Sequence, residues 1–391
     1  MSEQVVGTPK IRFKCFDEPW KECLFLEIAE TSRGLTYKPS DISKNGVRVL
    51  RSSNINEDVF VQYEDDVFVN DTAINIPLTQ EGDILITSAN GSSRLVGKHT
   101  IVSSLTTKTV HGGFMLLARS DNPYFLNASM SSSWYSKFIS VYVAGGNGAI
   151  GNLNKNDLDT QRIYVPCKDE KHKIGEFFKK LDKNISNQEQ KLDKLKTIKK
   201  SMLQKMFPKQ GSKVPDIRIK GFTGDWETSD FDTIFDRVSS KHHQIQSSDY
   251  LKTGRFPVID QGKQPVIGYY NDPSKVIKNT NMIVFGDHTR ELKYIDFDFV
   301  VGADGTQLLR TKPTFENIFF YYQLLQKTIP NMGYNRHFKF IAEMLFLHPT
   351  LPEQEKIGEF FKQLDKNISN QEQKLYKLKT IKKSMLQKMF V

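Results

Sequence analysis

The sequence predicts an α+β protein in which two domains are related by a pseudo-two-fold axis and joined by two long antiparallel helices forming a coiled coil. Three observations lead there. A 35-residue stretch occurs twice, at 173–207 and 356–390, and differs only at Lys180/Gln363 and Asp193/Tyr376. Each copy has a helical heptad pattern with no proline inside it. The regions around the copies mix short strand patterns with a few helical ones.

In the first copy the seam falls at Ile174, Phe178, Leu181, Ile185, Gln188, Leu192 and Leu195, in alternating steps of four and three. Phe361, Leu364, Ile368, Leu375 and Leu378 continue the same seam in the second copy. After Leu195 the step shortens to Ile198, then Met202 and Met206, a local break in the heptad. Pro208 ends the first helix. Such a helix is about 50 Å long, suited to a coiled coil rather than to an ordinary globular helix. Asn184, Asn187 and Gln188, with Asn367, Asn370 and Gln371, have two readings: solvated surface, or polar seam residues that set register. The natural partner of one copy is the other. A parallel pair would force the segment between them to bridge about 50 Å. An antiparallel pair lets that domain begin and end in one place, as domains usually do.

The chain order is therefore domain (1–166), arm (167–208), domain (209–349), arm (350–391). Its 391 residues suffice for two or three domains. No secretory signal or membrane span is visible, and Cys15, Cys23 and Cys167 form no metal-like pair. A reducing cytoplasm is the expected location. Net charge is +10. Each copy of the repeat, 173–207 and 356–390, holds +6, so the remainder sums to −2. Nucleic-acid binding by the domains must then rest on local patches, and isolated protein should bind weakly and in a salt-sensitive way. The arm charge reads as a solvated face, a nearby phosphate backbone or an acidic partner.

The domains open alike. Phe16 precedes Trp20 by four residues, as Phe222 precedes Trp226; Phe25 and Ile28 follow the first Trp as Phe231 and Ile234 follow the second. These are core residues by type. In the first domain, strands are expected at 46–53, 82–88, 112–119 and 162–165, with a helix over 123–140. In the second they are expected at 256–260, 266–270, 282–285 and 297–302, with a helix over 314–326. The loop 89–98 superficially resembles a phosphate loop, but its glycines are five residues apart and His99 replaces the Ser/Thr. It reads as a polar connection or a DNA-contacting loop. A Gly- and Asn-rich loop spans 144–158, and 331–338 occupies the place that 144–154 holds in the first domain.

Catalytic signatures are missing. Asn122-Pro123-Tyr124 and Asn271-Asp272-Pro273-Ser274 both fail an amino-methyltransferase turn, and no phosphate loop, zinc spacing or nuclease carboxylate–Lys set appears. His288 and His337 are lone loop histidines, read as surface or hydrogen-bonding groups before catalysts.

The near-identical arms, the Pro166 and Pro349 approaches to them, the Phe-x-x-x-Trp openings and the strand Gly-Asp-Ile-Leu-Ile together resemble the specificity subunit of type I restriction–modification enzymes. The resemblance spans essentially the whole chain. It implies two target-recognition domains, each reading half of a split double-stranded DNA sequence, and paired helices acting as a ruler for the gap. It implies a non-catalytic subunit that docks two methyltransferase and two restriction subunits. S-adenosylmethionine, ATP and Mg²⁺ would belong to those partners, with no cofactor or metal here. No residue code carries over, so candidate contacts follow from chemistry: Arg51, Ser53, Asn54, Asn90, Ser92, Arg94, Lys98, Asn147, Asn152 and Asn154 in the first domain. In the second they are Lys263, Gln264, His288, Thr289, Arg290, Tyr334, Asn335, Arg336 and His337. The alternative function is a non-catalytic coiled-coil interaction scaffold without DNA specificity; a self-contained DNA enzyme fits less well, given the missing motifs. Phe177, Phe178, Phe360, Phe361, Met202, Met206, Met385 and Met389 exceed what one helix pair covers, and are expected to pack on the domains or on a partner.

Overall fold

The repeat forms two helices of 38 residues, Lys168–Lys205 and Leu351–Lys388. Each starts five residues before the repeat and ends two before its close. The computed structural model describes residues 7–143, 151–278, 281–302, 304–333 and 335–391. The chain divides into two units, Met1–Gln188 with Lys374–Val391, and Glu189–Gln373. Each unit thus contains one α+β domain and pieces of both helices.

In the first unit, Phe390 near the end of the second helix lies 5.9 Å from Phe178 near the start of the first, ring to ring, and Lys382 reaches Asp182 at 2.6 Å. The helices therefore run antiparallel. The second unit repeats this. Phe207 stacks on Phe361 at 6.0 Å, and Lys196 meets Glu372 at 2.7 Å. The seam is where the heptads put it: Ile174, Phe178, Ile185, Leu192, Ile357, Phe361 and Leu364 are buried, and Leu181, Leu195, Ile368, Leu375 and Leu378 are half-buried. Asn184, Asn187, Asn367 and Asn370 are exposed, whereas Gln371 is buried in the seam.

Among the described residues the first domain contains four sheets, the smallest a hairpin of Ile55–Asn56 with Val59–Phe60. Lys21–Leu24 pairs with Arg162–Val165, directly before the arm. An antiparallel sheet runs Glu30–Arg33, Met115–Arg119, Ile84–Thr87, His99–Ile101. In the third sheet Val47–Leu50 lies between Thr109–His111, parallel, and Phe68–Val69, antiparallel, with Ile42–Ser43 at the edge. The second domain has the same plan. Glu227–Asp230 pairs with Leu345–His348. The four-stranded sheet runs Phe235–Val238, Thr306–Thr311, Met282–Gly286, Leu292–Ile295. Phe256–Ile259 lies between Val300–Val301, parallel, and Gly268–Tyr270, antiparallel. Strands buried on both faces, such as Ile84–Thr87 and Met282–Gly286, match the apolar runs of the sequence.

The expected helix over 123–140 is two helices, Pro123–Met130 and Ser133–Tyr142. The break falls at Ser131-Ser132, where the Ser132 hydroxyl donates back to the Ser129 carbonyl at 2.7 Å. The expected strand over 297–302 shortens to Val300–Val301.

The arms are tied to the domains by repeated contacts. Trp20 packs against Phe125, Phe178 and Phe390, and Trp226 against Phe207 and Phe319. Phe16 receives the Lys173 ammonium 5.0 Å from its ring, and Phe222 receives Lys356 at the same distance. Among the surplus apolar arm residues, Phe178, Phe361, Met206 and Met389 are buried against their domains; Phe177 is half-buried beside Phe13, and Phe360 stays exposed. Among the described residues, no helix is long and apolar enough to cross a membrane.

Candidate nucleic-acid interface

Loops that are distant in sequence meet at one edge of each domain. In the first, Val47–Leu50 leads into Arg51–Asn54, and Ile84–Thr87 leads into the loop 88–98. The Asn90 amide donates to the Ser52 hydroxyl at 2.9 Å, joining the two. Leu153 N–H donates to the Ser88 carbonyl at 2.8 Å, which brings in Asn152 and Asn154. Here Arg51, Ser53, Arg94, Asn152 and Asn154 are exposed, and Asn90, Ser92 and Lys98 are half-buried. Asn90 Oδ1 also accepts from Ser92 N–H at 3.0 Å, and Asn154 caps the short helix Lys155–Asp159.

The second domain brings the equivalent loops together with different residues. The loop after Phe256–Ile259 carries Gln261, Lys263 and Gln264; the loop after Met282–Gly286 carries Asp287 to Arg290. Gln261 accepts from His288 N–H at 3.1 Å through Oε1 and from the Thr289 hydroxyl through its carbonyl, and it donates to the Asp304 carbonyl at 2.8 Å. The third loop joins when His337 N–H donates to the Asp287 carbonyl at 2.8 Å and Arg336 lies 3.6 Å from Asp304. Lys263, Gln264, Thr289, Asn335 and Arg336 are exposed; His288 and Arg290 are half-buried, with Arg290 donating to the Ile329 carbonyl at 3.2 Å. Lys293 props the first of these loops from beneath, donating to the carbonyls of Asp260 at 2.8 Å and Gln264 at 2.7 Å. Burial pushes its ammonium down from the usual lysine range, and Asp260 offsets part of that.

Two candidate residues face inward instead. Asn54 is fully buried, donating to the Val61 carbonyl and to Asp66 and accepting from Arg51 N–H. His337 is fully buried: its Nε2 accepts from Met332 N–H at 3.1 Å, which leaves Nδ1–H to donate to the Asp287 carbonyl at 2.8 Å. Both shape the loops rather than present a contact. Loop polarity alone does not separate a turn-forming Asn or His from a displayed one. Asn147 and Tyr334 lie outside the described residues.

The 88–98 loop joins two antiparallel strands, whereas a phosphate loop joins a strand to a helix. Among the described residues, no group of three His, Cys, Asp or Glu side chains could hold a metal ion. The reading by residue type overlooked Gln261 and Asp287, which knit the second cluster, and Phe114, which is 74 % exposed beside the first. Phe114 follows two glycines at the head of an apolar run, so it reads as strand; observed pairing starts only at Met115.

A family model described as the type I restriction modification DNA specificity domain matches residues 17–197 and again 223–380. The chain belongs to that family. The two matches cover both domains and most of both arms. The sequence is 24 % identical over 403 residues to a Methanocaldococcus jannaschii protein provisionally named the type I restriction enzyme MjaX specificity subunit, covering 94 % of this chain and 92 % of that one. The fold is similar to the crystal structure of a type I restriction–modification S subunit from M. genitalium, with a TM-score of 0.67 at 16 % identity over 98 % of this chain and 99 % of that one. The α+β domains and antiparallel arms are thus the fold of a type I specificity subunit, and family membership makes DNA specificity the function.

Proposed function

We propose that each loop cluster reads one half of a split DNA sequence, and that the chain supplies specificity to a type I complex without itself catalysing methylation or cleavage. The observation that carries this is the matching convergence of loops on two domains of one topology. The scaffold is the same twice, while the displayed residues differ: Arg51, Ser53, Arg94 and Asn152 in one, Lys263, Gln264, Thr289 and Arg336 in the other. Arg, Lys, Asn and Gln are the side chains that pair with base edges and phosphates, so two different displays fit two different half-sites.

On this reading the paired helices set the gap between the half-sites and offer nearly the same surface twice, one for each of two methyltransferase subunits. Two restriction subunits complete the complex. S-adenosylmethionine, ATP and Mg²⁺ act on those partners, and the complex works in the cytoplasm beside the chromosome. The test is methylation mapping across the genome with and without this gene. Loss of methylation at one split motif is expected. Persistence of every motif would favour the interaction-scaffold alternative.

A further inference from the structure

Phe114 is the apolar residue placed most tellingly. It closes the turn Gly112–Phe114 between the strands Thr109–His111 and Met115–Arg119. The backbone of this turn is clamped to the loop 88–98 and to the strand end that leads into Arg51. The Phe114 carbonyl accepts from Ser88 N–H at 2.9 Å and Ala89 N–H at 3.1 Å, and Gly112 N–H donates to the Leu50 carbonyl at 2.9 Å. The turn is also tightly packed, since a Cβ at Gly113 would come within 3.2 Å of Thr36 Oγ1. Yet Phe114 is 74 % exposed. The second domain makes the matching bond from Asp287 N–H to the Gly305 carbonyl at 2.8 Å. There the residue is a glycine at φ +84°, and a Cβ would strike Gln261 and His288. The first domain thus holds a ring out on a fixed backbone where the second can hold no side chain.

An exposed aromatic side chain on a turn hydrogen-bonded to the start of the loop that carries Asn90 and Arg94 fits an apolar counterpart on the ligand. The 5-methyl of thymine is the apolar group that a base pair displays in the major groove. We propose that Phe114 is a specificity-determining residue of the first domain that contacts a thymine 5-methyl in its half-site. This rests on the reading of the domain as a DNA reader. Because the backbone is already held, little ordering opposes the contact.

The test uses the full chain assembled with its methyltransferase and duplexes carrying the mapped motif. Each thymine of the first half-site is replaced in turn by uracil, which lacks the methyl. At one position wild-type binding should weaken about four-fold, the equivalent of ~0.8 kcal/mol for one buried methyl. Phe114→Ala should bind more weakly than wild type and be indifferent to uracil at that position, while Phe114→Leu should keep part of the discrimination. Uracil in the second half-site should affect all three proteins equally. Wild type indifferent to uracil throughout the first half-site overturns the proposal. So does a Phe114→Ala protein as uracil-sensitive as wild type, or one weakened by the same factor on every duplex, as a ring wedged between base pairs would give. If the wild type shows no motif-dependent binding at all, the DNA-reader function itself falls, a distinguishable result.

Discussion

Glu170 holds the guanidinium of Arg12 in a two-point fork, with Nε 2.7 Å from one carboxylate oxygen and an NH2 group 2.8 Å from the other. Trp20 Nε1 donates to the same carboxylate at 3.1 Å. Glu353 and Arg218 repeat the fork in the second unit, at 2.8 Å for both bonds. Each fork ties the opening segment of a domain to the first turn of that domain's own arm. Glu170→Ala would leave the largely buried Arg12 without its paired carboxylate, a loss of about 3–5 kcal/mol. Differential scanning calorimetry and limited proteolysis should show the first unit opening first, and Glu353→Ala should make the second open first.

The arm glycines carry a prediction of sign. Inside a helix, Gly→Ala ordinarily stabilises by roughly 0.5–1 kcal/mol. A Cβ at Gly175 would press into Asn122 Oδ1, and one at Gly358 into Ile318 Cγ2, both well inside 3.0 Å. Gly175→Ala and Gly358→Ala should therefore destabilise, by about 1–3 kcal/mol. A raised melting temperature for either would contradict this close docking of domain on arm.

Packing should outweigh charge along the arms. Phe178 is 1 % exposed and Phe361 is 0 % exposed, so Phe→Ala at either should cost about 3–5 kcal/mol. Lys196 and Glu372 are about half exposed, which places their bridge near 0–1 kcal/mol. Lys196→Ala should barely move a denaturation midpoint that Phe361→Ala lowers strongly.

Two buried histidines give the first unit an acid limit. Burial lowers the pKa of His99, packed between Gly97, Asn127 and Ser131, and of His111 beside Ser32. Burial favours the neutral form of both rings in the folded state, while in the unfolded chain they take up protons below about 6.5. Stability is then fully present above 6.5 and is lost as pH falls from there toward the folded values. Melting temperature should drop on going from pH 7.5 to 5.5, and a His99→Asn/His111→Asn variant should show a shallower drop.

The two loop clusters should be separable. Arg94→Ala should alter or weaken recognition of one half-site only, and Arg336→Ala the other, by about 1–3 kcal/mol where the Arg reads a base. Methylation mapping of each variant checks this. A variant that changes both halves would contradict one domain per half-site.

Much of the fold was legible. The arms were, because a heptad seam needs only local periodicity, and the seam residues are buried or half-buried from Ile174 to Leu195. The antiparallel sense followed from where the second domain must begin and end. Strands buried on both faces, such as Ile84–Thr87, announced themselves as apolar runs. Short or partly polar strands, such as Glu30–Arg33 and Thr109–His111, did not, because cross-strand partners rather than their own composition make them strands.

The sequence by itself determined the repeat, its helicity, the partition of charge and the family, since each is written in the order and spacing of residues. Only the tertiary structure decided which polar loop residues are displayed. Asn54 and Asn152 are the same residue type in similar loops, yet one is wholly buried and the other exposed. The difference is set by Asp66, Val61 and Arg51 closing around Asn54, and hydrogen bonds made within an irregular loop leave no periodic trace in a sequence.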